Sequence, residues 1–217
     1  TNSSGSQLDL TNQSEDFTIE VGAGTDNVKG GSGADTIKVN SAGQGNADTL
    51  DGGAGTSDIL QLSSGSHSFT DNSKLANVET IKGHASSATT VVLTGQLETL
   101  KVDGGSAGDT ITGGNGNDII TGGGGDDIIA GGAGDDSLTG NADNDTFKVD
   151  GGTDTITDLA TGDIVVVSNS AKAQATGITA FEATSGTKII AGTAEFTAAS
   201  GGGVINLSSA HGDLSLI

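Results

Sequence analysis

One aspartate recurs every nine residues along a stretch of this chain. Asp109, Asp118, Asp127, Asp136, Asp145, Asp154 and Asp163 share a single phase. Two residues after each stands an apolar side chain: Ile111, Ile120, Ile129, Leu138, Phe147, Ile156 and Val165. Glycines fill the positions between, most densely in GGNGNDIITGGGGDDIIAGGAGDDSLT, residues 113–139. Such a unit permits few folds. Its first six residues are turn formers, because glycine allows positive φ and close backbone approach. Its last three have room for only a short strand, in which the central residue points one way and its neighbours the other. The apolar residue therefore faces inward and stacks on its counterparts. One unit makes a turn and a strand, and two make a coil of 18 residues. Asp109, Asp127 and Asp145 are expected to stack on one edge, and Asp118, Asp136 and Asp154 on the other. No 3.6-residue periodicity appears, so very little helix is expected. The fold class expected is all-β, a parallel β-roll or β-solenoid with glycine-rich turns.

A shorter array lies near the N-terminus. GAGTDNVK and GGSGADTIK set Asp26 and Asp35 nine apart, followed by Val28 and Ile37. GQGNADTLD adds Asp48 after a four-residue insertion, and GGAGTSDIL closes the array with Asp58 one residue late. The chain therefore divides into an N-terminal β segment with a short array (1–60), a spacer without the glycine–aspartate code (61–103), the main array (104–166) and an Ala/Thr/Ser/Gly-rich tail (167–217). In the spacer, VETIK (78–82) and LETLK (97–101) lie 19 residues apart and alternate apolar with polar, as strands on successive coils would. TKIIAGTAEFTA and GGVINLSS in the tail read as short strands.

Charge sets the chemistry. The chain has 28 acidic residues against 8 lysines, a formal net charge of −20. That balance argues against nucleic acid and anionic membrane surfaces as partners. No apolar run approaches the roughly 20 residues of a membrane helix. No cysteine is present, which removes disulfides and thiolate metal sites. The opening TNSSGSQLDL lacks the basic start and apolar stretch of a signal peptide. With no methionine anywhere, the sequence is expected to be a segment of a longer chain.

A column of carboxylates spaced by one sheet spacing, about 4.8 Å, repels itself strongly when empty. A hard divalent cation between the turns removes the repulsion. Ca²⁺ accepts six to eight oxygens, backbone carbonyls included, in flexible geometry. Mg²⁺ demands a tighter octahedron, and Zn²⁺ prefers nitrogen and sulfur. Calcium, as several ions, is the expected cofactor.

GGNGNDIIT, GGGGDDIIA, GGAGDDSLT and GGSGADTIK resemble the RTX family, the glycine-rich calcium β-roll repeats of exported bacterial proteins. The resemblance spans residues 104–157 and, more loosely, 22–60. It implies calcium between turns two repeats apart, held by the sixth-position carboxylates Asp109, Asp118, Asp127, Asp136, Asp145 and Asp154. Carbonyls would come from Gly113, Asn115, Asn117, Gly122, Gly124, Asp126, Gly131, Ala133 and Asp135. In the shorter array the matching acids are Asp26, Asp35 and Asp48. Ala107, Asp143 and Asp150 replace glycines of the pattern and put full sites there in question. The resemblance also implies type I secretion, with folding outside the cell.

No His-Glu-x-x-His, Gly-x-Ser-x-Gly or Gly-Lys-Ser/Thr element is present, and no active site is expected. His67, His84 and His211 are isolated and are expected in turns or at the surface. Asp126 and Asp135 read as solvated turn acids rather than catalytic pairs. Three function classes stand. The first is a calcium-rigidified structural segment of a bacterial cell-surface protein that self-associates into a lattice or filament. The second is the secretion and folding domain of an exported enzyme, and the third an adhesin. The spacer between two arrays and the Thr/Ser/Ala/Gly-rich flanks resemble bacterial surface-layer proteins, which favours the first.

Overall fold

A computed structural model describes residues 5–42, 47–168, 171–178, 180–182, 188–189, 192–198, 204–206 and 215–216. Among them every strand pair is parallel and no helix occurs. The chain winds as a β-solenoid. One face is an 11-stranded sheet running from Thr18–Val21 through Thr36–Val39, Ile59–Leu62, Thr80–Lys82, Lys101–Gly105, Ile119–Gly123, Ser137–Asn141 and Thr153–Ile156 into the tail. The opposite face has two parts. A four-stranded sheet, Gln7–Asp9 to Leu75–Ala76, serves the N-terminal coils, and a seven-stranded sheet starting at Gly65–Ser68 serves the rest. The changeover falls in the spacer, where Ile59–Leu62, Gly65–Ser68 and Leu75–Ala76 follow one another on three different sheets.

Strand register explains the core. Val102, Ile120, Leu138 and Ile156 pair in a column on the long sheet. Val91, Ile111, Ile129, Phe147 and Val165 form the facing column. All nine are fully buried. They are the residues two places after each aspartate, with Val91 and Val102 continuing both columns into the spacer. Full burial of such a side chain stabilises the fold by about 1.5–3 kcal/mol.

The spacer differs from expectation in register. VETIK and LETLK do lie on successive coils, yet Ile81 pairs with Val102 rather than with Leu100. LETLK is mostly a turn, with Leu97 exposed, and only Lys101 enters the strand. The coil here is 21 residues long, three more than the 18-residue coil that follows it, and the extra residues are taken up between the strands. In the tail, TKIIAGTAEFTA contains strands Lys188–Ile189 and Gly192–Ala198, and GGVINLSS contains Val204–Asn206.

Candidate metal centre

The two aspartate columns are continuous ladders. On one edge the Asp109 N–H donates to Asp127 Oδ1 at 2.7 Å, Asp127 N–H to Asp145 Oδ1 at 2.9 Å and Asp145 N–H to Asp163 Oδ1 at 3.0 Å. On the other, Leu100 N–H donates to Asp118 Oδ1 at 2.9 Å, Asp118 N–H to Asp136 Oδ1 at 2.7 Å and Asp136 N–H to Asp154 Oδ1 at 3.1 Å. Every one of these carboxylates is buried. Each satisfies an amide one coil earlier in the chain, 18 residues away. The nine-residue period thus places one acid per turn at a fixed height on alternating edges.

The second carboxylate oxygens divide into two kinds. Asp118 Oδ2 accepts from Gly114 N–H at 2.8 Å, and Asp163 Oδ2 from Ala160 N–H at 2.8 Å. Oδ2 of Asp109, Asp127, Asp136 and Asp154 is buried with no hydrogen-bond partner in the protein. Burying an ionised oxygen without a partner costs several kcal/mol unless a cation or proton compensates. Burial pushes the ladder carboxyls up, to about 7 for Asp127 and Asp154 and about 6 for Asp136 and Asp145, with the neighbouring acids of each ladder adding to the rise. Asp109, Asp118 and Asp163 rise for the same leading reason.

Glycine at the first position of the unit is a steric requirement of this carboxylate. A Cβ at Gly122 would run into Asp127 Oδ2, and one at Gly131 into Asp136 Oδ2. Left-handed backbone is needed elsewhere in the turn. Asn141 and Asp143 adopt it with φ of 71° and 77°, in the places that Gly123 and Gly125 hold one coil earlier. The missing glycine at Asp143 therefore leaves the turn shape intact.

Turn-to-turn backbone bonds use the carbonyls of Gly105, Gly114 and Gly123, which accept from Gly124, Ala133 and Ala142. These differ from the carbonyls expected to serve calcium at Gly113, Asn115, Asn117, Gly122, Gly124, Asp126, Gly131, Ala133 and Asp135, all of which sit on the same turns. Asp126 and Asp135 side chains are exposed and tie coils together: Asp126 Oδ1 accepts from Asn144 N–H and Asp135 Oδ1 from Thr153 N–H. Among the described residues no three His, Cys, Asp or Glu side chains converge on one point. A cation here must combine carboxylate and carbonyl oxygens, a donor set that fits calcium and does not fit zinc.

The N-terminal ladders follow the same plan. Asp26 N–H donates to Asp48 Oδ1 at 2.8 Å, and Asp35 N–H to Asp58 Oδ1 at 2.7 Å. Asp26, Asp48 and Asp58 each bury an unpartnered Oδ2. Asp58 stands out of phase in the sequence and outside the expected ligand set, yet it occupies a rung. Asp163, in phase but likewise outside that set, is the last rung of its edge. Glu79 is a third addition, since its Oε2 accepts from Asp58 N–H at 2.7 Å. One histidine corrects the expectation: His67 is buried within strand Gly65–Ser68, with Nε2 3.0 Å from the Ser63 carbonyl and 3.4 Å from Ser63 Oγ, and Nδ1 unpartnered. The alternation of His67 with Phe69 was the available signal for burial. His84 is half-buried beside a turn, and His211 lies outside the described residues.

Comparison with known proteins agrees with this geometry. The model of the RTX calcium-binding nonapeptide repeat matches in four copies, over residues 18–41, 103–138 and 124–156. The match takes in about a third of the chain and stops short of residues 42–60. No curated protein and no solved structure matches the chain. Residues 18–41 and 103–156 therefore carry RTX calcium-binding nonapeptide repeats.

Proposed function

We propose that the chain is a calcium-dependent structural segment of an exported bacterial cell-surface protein, part of a surface layer or extracellular matrix, and that it has no catalytic role. The observation that carries this reading is the row of buried carboxylate oxygens without partners at Asp109, Asp127, Asp136 and Asp154. Bound calcium supplies the positive charge that such a row lacks. The chain's own residues do the rest. The aspartates fix adjacent coils through Oδ1, the glycines let each Oδ2 lie against the turn, and the aliphatic columns hold the two faces together. Rigidity is then conditional on calcium, which suits a protein kept unfolded before export and set outside the cell. Extracellular calcium modules have dissociation constants of about 10⁻⁴–10⁻³ M. Circular dichroism during a calcium titration tests the reading. Sheet signal should appear at millimolar and not at micromolar calcium. A chelated sample that already shows the full signal would overturn it.

A further inference from the structure

The turn Gly52–Asp58 is one residue longer than a nonapeptide turn and lies outside the matched repeats. It nevertheless stacks on turn Gly30–Asp35 as Gly131–Asp136 stacks on Gly113–Asp118, bond for bond. Asp35 Oδ2 accepts from Gly31 N–H at 2.8 Å, as Asp118 Oδ2 does from Gly114 N–H at 2.8 Å. The Asp35 N–H reaches Asp58 Oδ1 at 2.7 Å, and the Asp118 N–H reaches Asp136 Oδ1 at 2.7 Å. Ala54 N–H donates to the Gly31 carbonyl, and Ala133 N–H to the Gly114 carbonyl. Cβ atoms at Gly53 and Gly55 would strike the Gly31 and Gly33 carbonyls, just as Cβ atoms at Gly132 and Gly134 would strike those of Gly114 and Gly116. The extra residue sits between Gly55 and Asp58, where it lengthens the turn without moving the acid off its rung.

The decisive feature is Asp58 itself. Its side chain is 1% exposed, Oδ1 is engaged, and Oδ2 is buried without a partner over Gly52 and Gly55. Asp136 presents the same arrangement over its own turn. We propose that turns 30–35 and 52–58 form a further calcium site at the end of the matched repeats, with Asp58, outside the match, as its buried carboxylate. The site rests on the calcium reading of the main array, and it extends calcium dependence up to the edge of the spacer.

Equilibrium dialysis with radioactive calcium on the full chain tests it. Asp58→Asn keeps the Oδ1 acceptor but replaces the second oxygen with an NH2 group that cannot ligate a cation, so it should bind about one ion fewer per chain than wild type. Residue-resolved hydrogen exchange during a calcium titration of the wild-type chain gives a second readout that survives any folding defect of that variant. Amides in 31–35 and 53–58 should gain protection, with a midpoint that Asp127→Asn leaves in place. An unchanged ion count in Asp58→Asn, or no calcium-dependent protection in these turns while the main array responds, overturns the proposal and spares the main-array reading. A wild-type chain that binds no calcium overturns both.

Discussion

The Asp127 amide donates to Asp145 Oδ1 at 2.9 Å while Asp127 Oδ1 accepts from the Asp109 amide at 2.7 Å. Each rung is therefore both held and holding, and Asp127 Oδ2 is left buried without a partner. Its sequence neighbour Asp126 is exposed and makes one contact, to Asn144 N–H at 3.0 Å. Asp127→Ala removes a proposed calcium ligand and strands the Asp109 amide, a loss of about 1–3 kcal/mol before any calcium is counted. Asp126→Ala keeps the backbone carbonyl and gives up one exposed hydrogen bond, about 0.5–1.5 kcal/mol. Calcium midpoints for folding, read by circular dichroism, should rise much further for Asp127→Ala. Equal midpoints would refute the division of roles.

Glycines in the same turns should differ sharply in tolerance. A Cβ at Gly131 collides with the Asp136 carboxylate, whereas one at Gly124 meets nothing closer than Ser106 at 3.6 Å, and its φ is not left-handed. Gly131→Ala should cost on the order of 1–3 kcal/mol through overpacking. Gly124→Ala should be neutral or stabilising by up to about 1 kcal/mol, through lower entropy of the unfolded chain. Denaturant unfolding at saturating calcium distinguishes them, and similar losses for both would show that the carboxylate does not lie where the structure puts it.

The main array was legible in the sequence because one period carries both signals. Asp118 and Ile120 repeat together, so the acid's edge and the apolar residue's inward direction follow from the same count. Asp58 escaped because a single inserted residue breaks the phase while the three-dimensional stacking absorbs it. The spacer register escaped for a related reason: LETLK resembles VETIK by composition, but the coil that joins Ile81 to Val102 is 21 residues long, and nothing local in the sequence fixes that length. His67, a lone histidine, reads as a surface residue when taken alone, although its alternation with the buried Phe69 puts both on one side of the chain.

Assembly is the next expected outcome. At a net charge of −20, two copies repel until cations neutralise them. Ile119 and Ile128, on opposite outer faces, are 49% and 37% exposed and offer apolar contact once charge is neutralised. Electron microscopy of the parent chain should show sheets or filaments with calcium and their loss on chelation. Folded monomers at every calcium concentration would favour the export-domain reading instead.

Acid should partly replace calcium. In the calcium-free folded chain, Asp127 and Asp154 hold their protons up to about pH 7, and Asp136 and Asp145 up to about pH 6. In the unfolded chain the same carboxyls titrate near 3.9. Between these values the folded state binds more protons than the unfolded state, so stability falls as pH rises. The proton contribution is complete below about pH 4 and is lost as pH climbs through 6 and 7. His67 opposes this, because burial lowers its affinity for a proton and its charging below about pH 6.5 disfavours the fold. One imidazole stands against four strongly raised carboxyls, so the net slope keeps the carboxylates' sign. Chelated protein should therefore show more sheet signal at pH 5 than at pH 8, while falling short of the calcium-bound signal. With calcium present the dependence reverses, since protons and the cation compete for the same Oδ2 atoms and calcium affinity drops as pH falls through 7 to 5. Far-ultraviolet circular dichroism, with and without calcium at both pH values, checks the crossing. Chelated protein that is less stable at pH 5 than at pH 8 would mean that the buried carboxylates are compensated by something other than a cation or a proton.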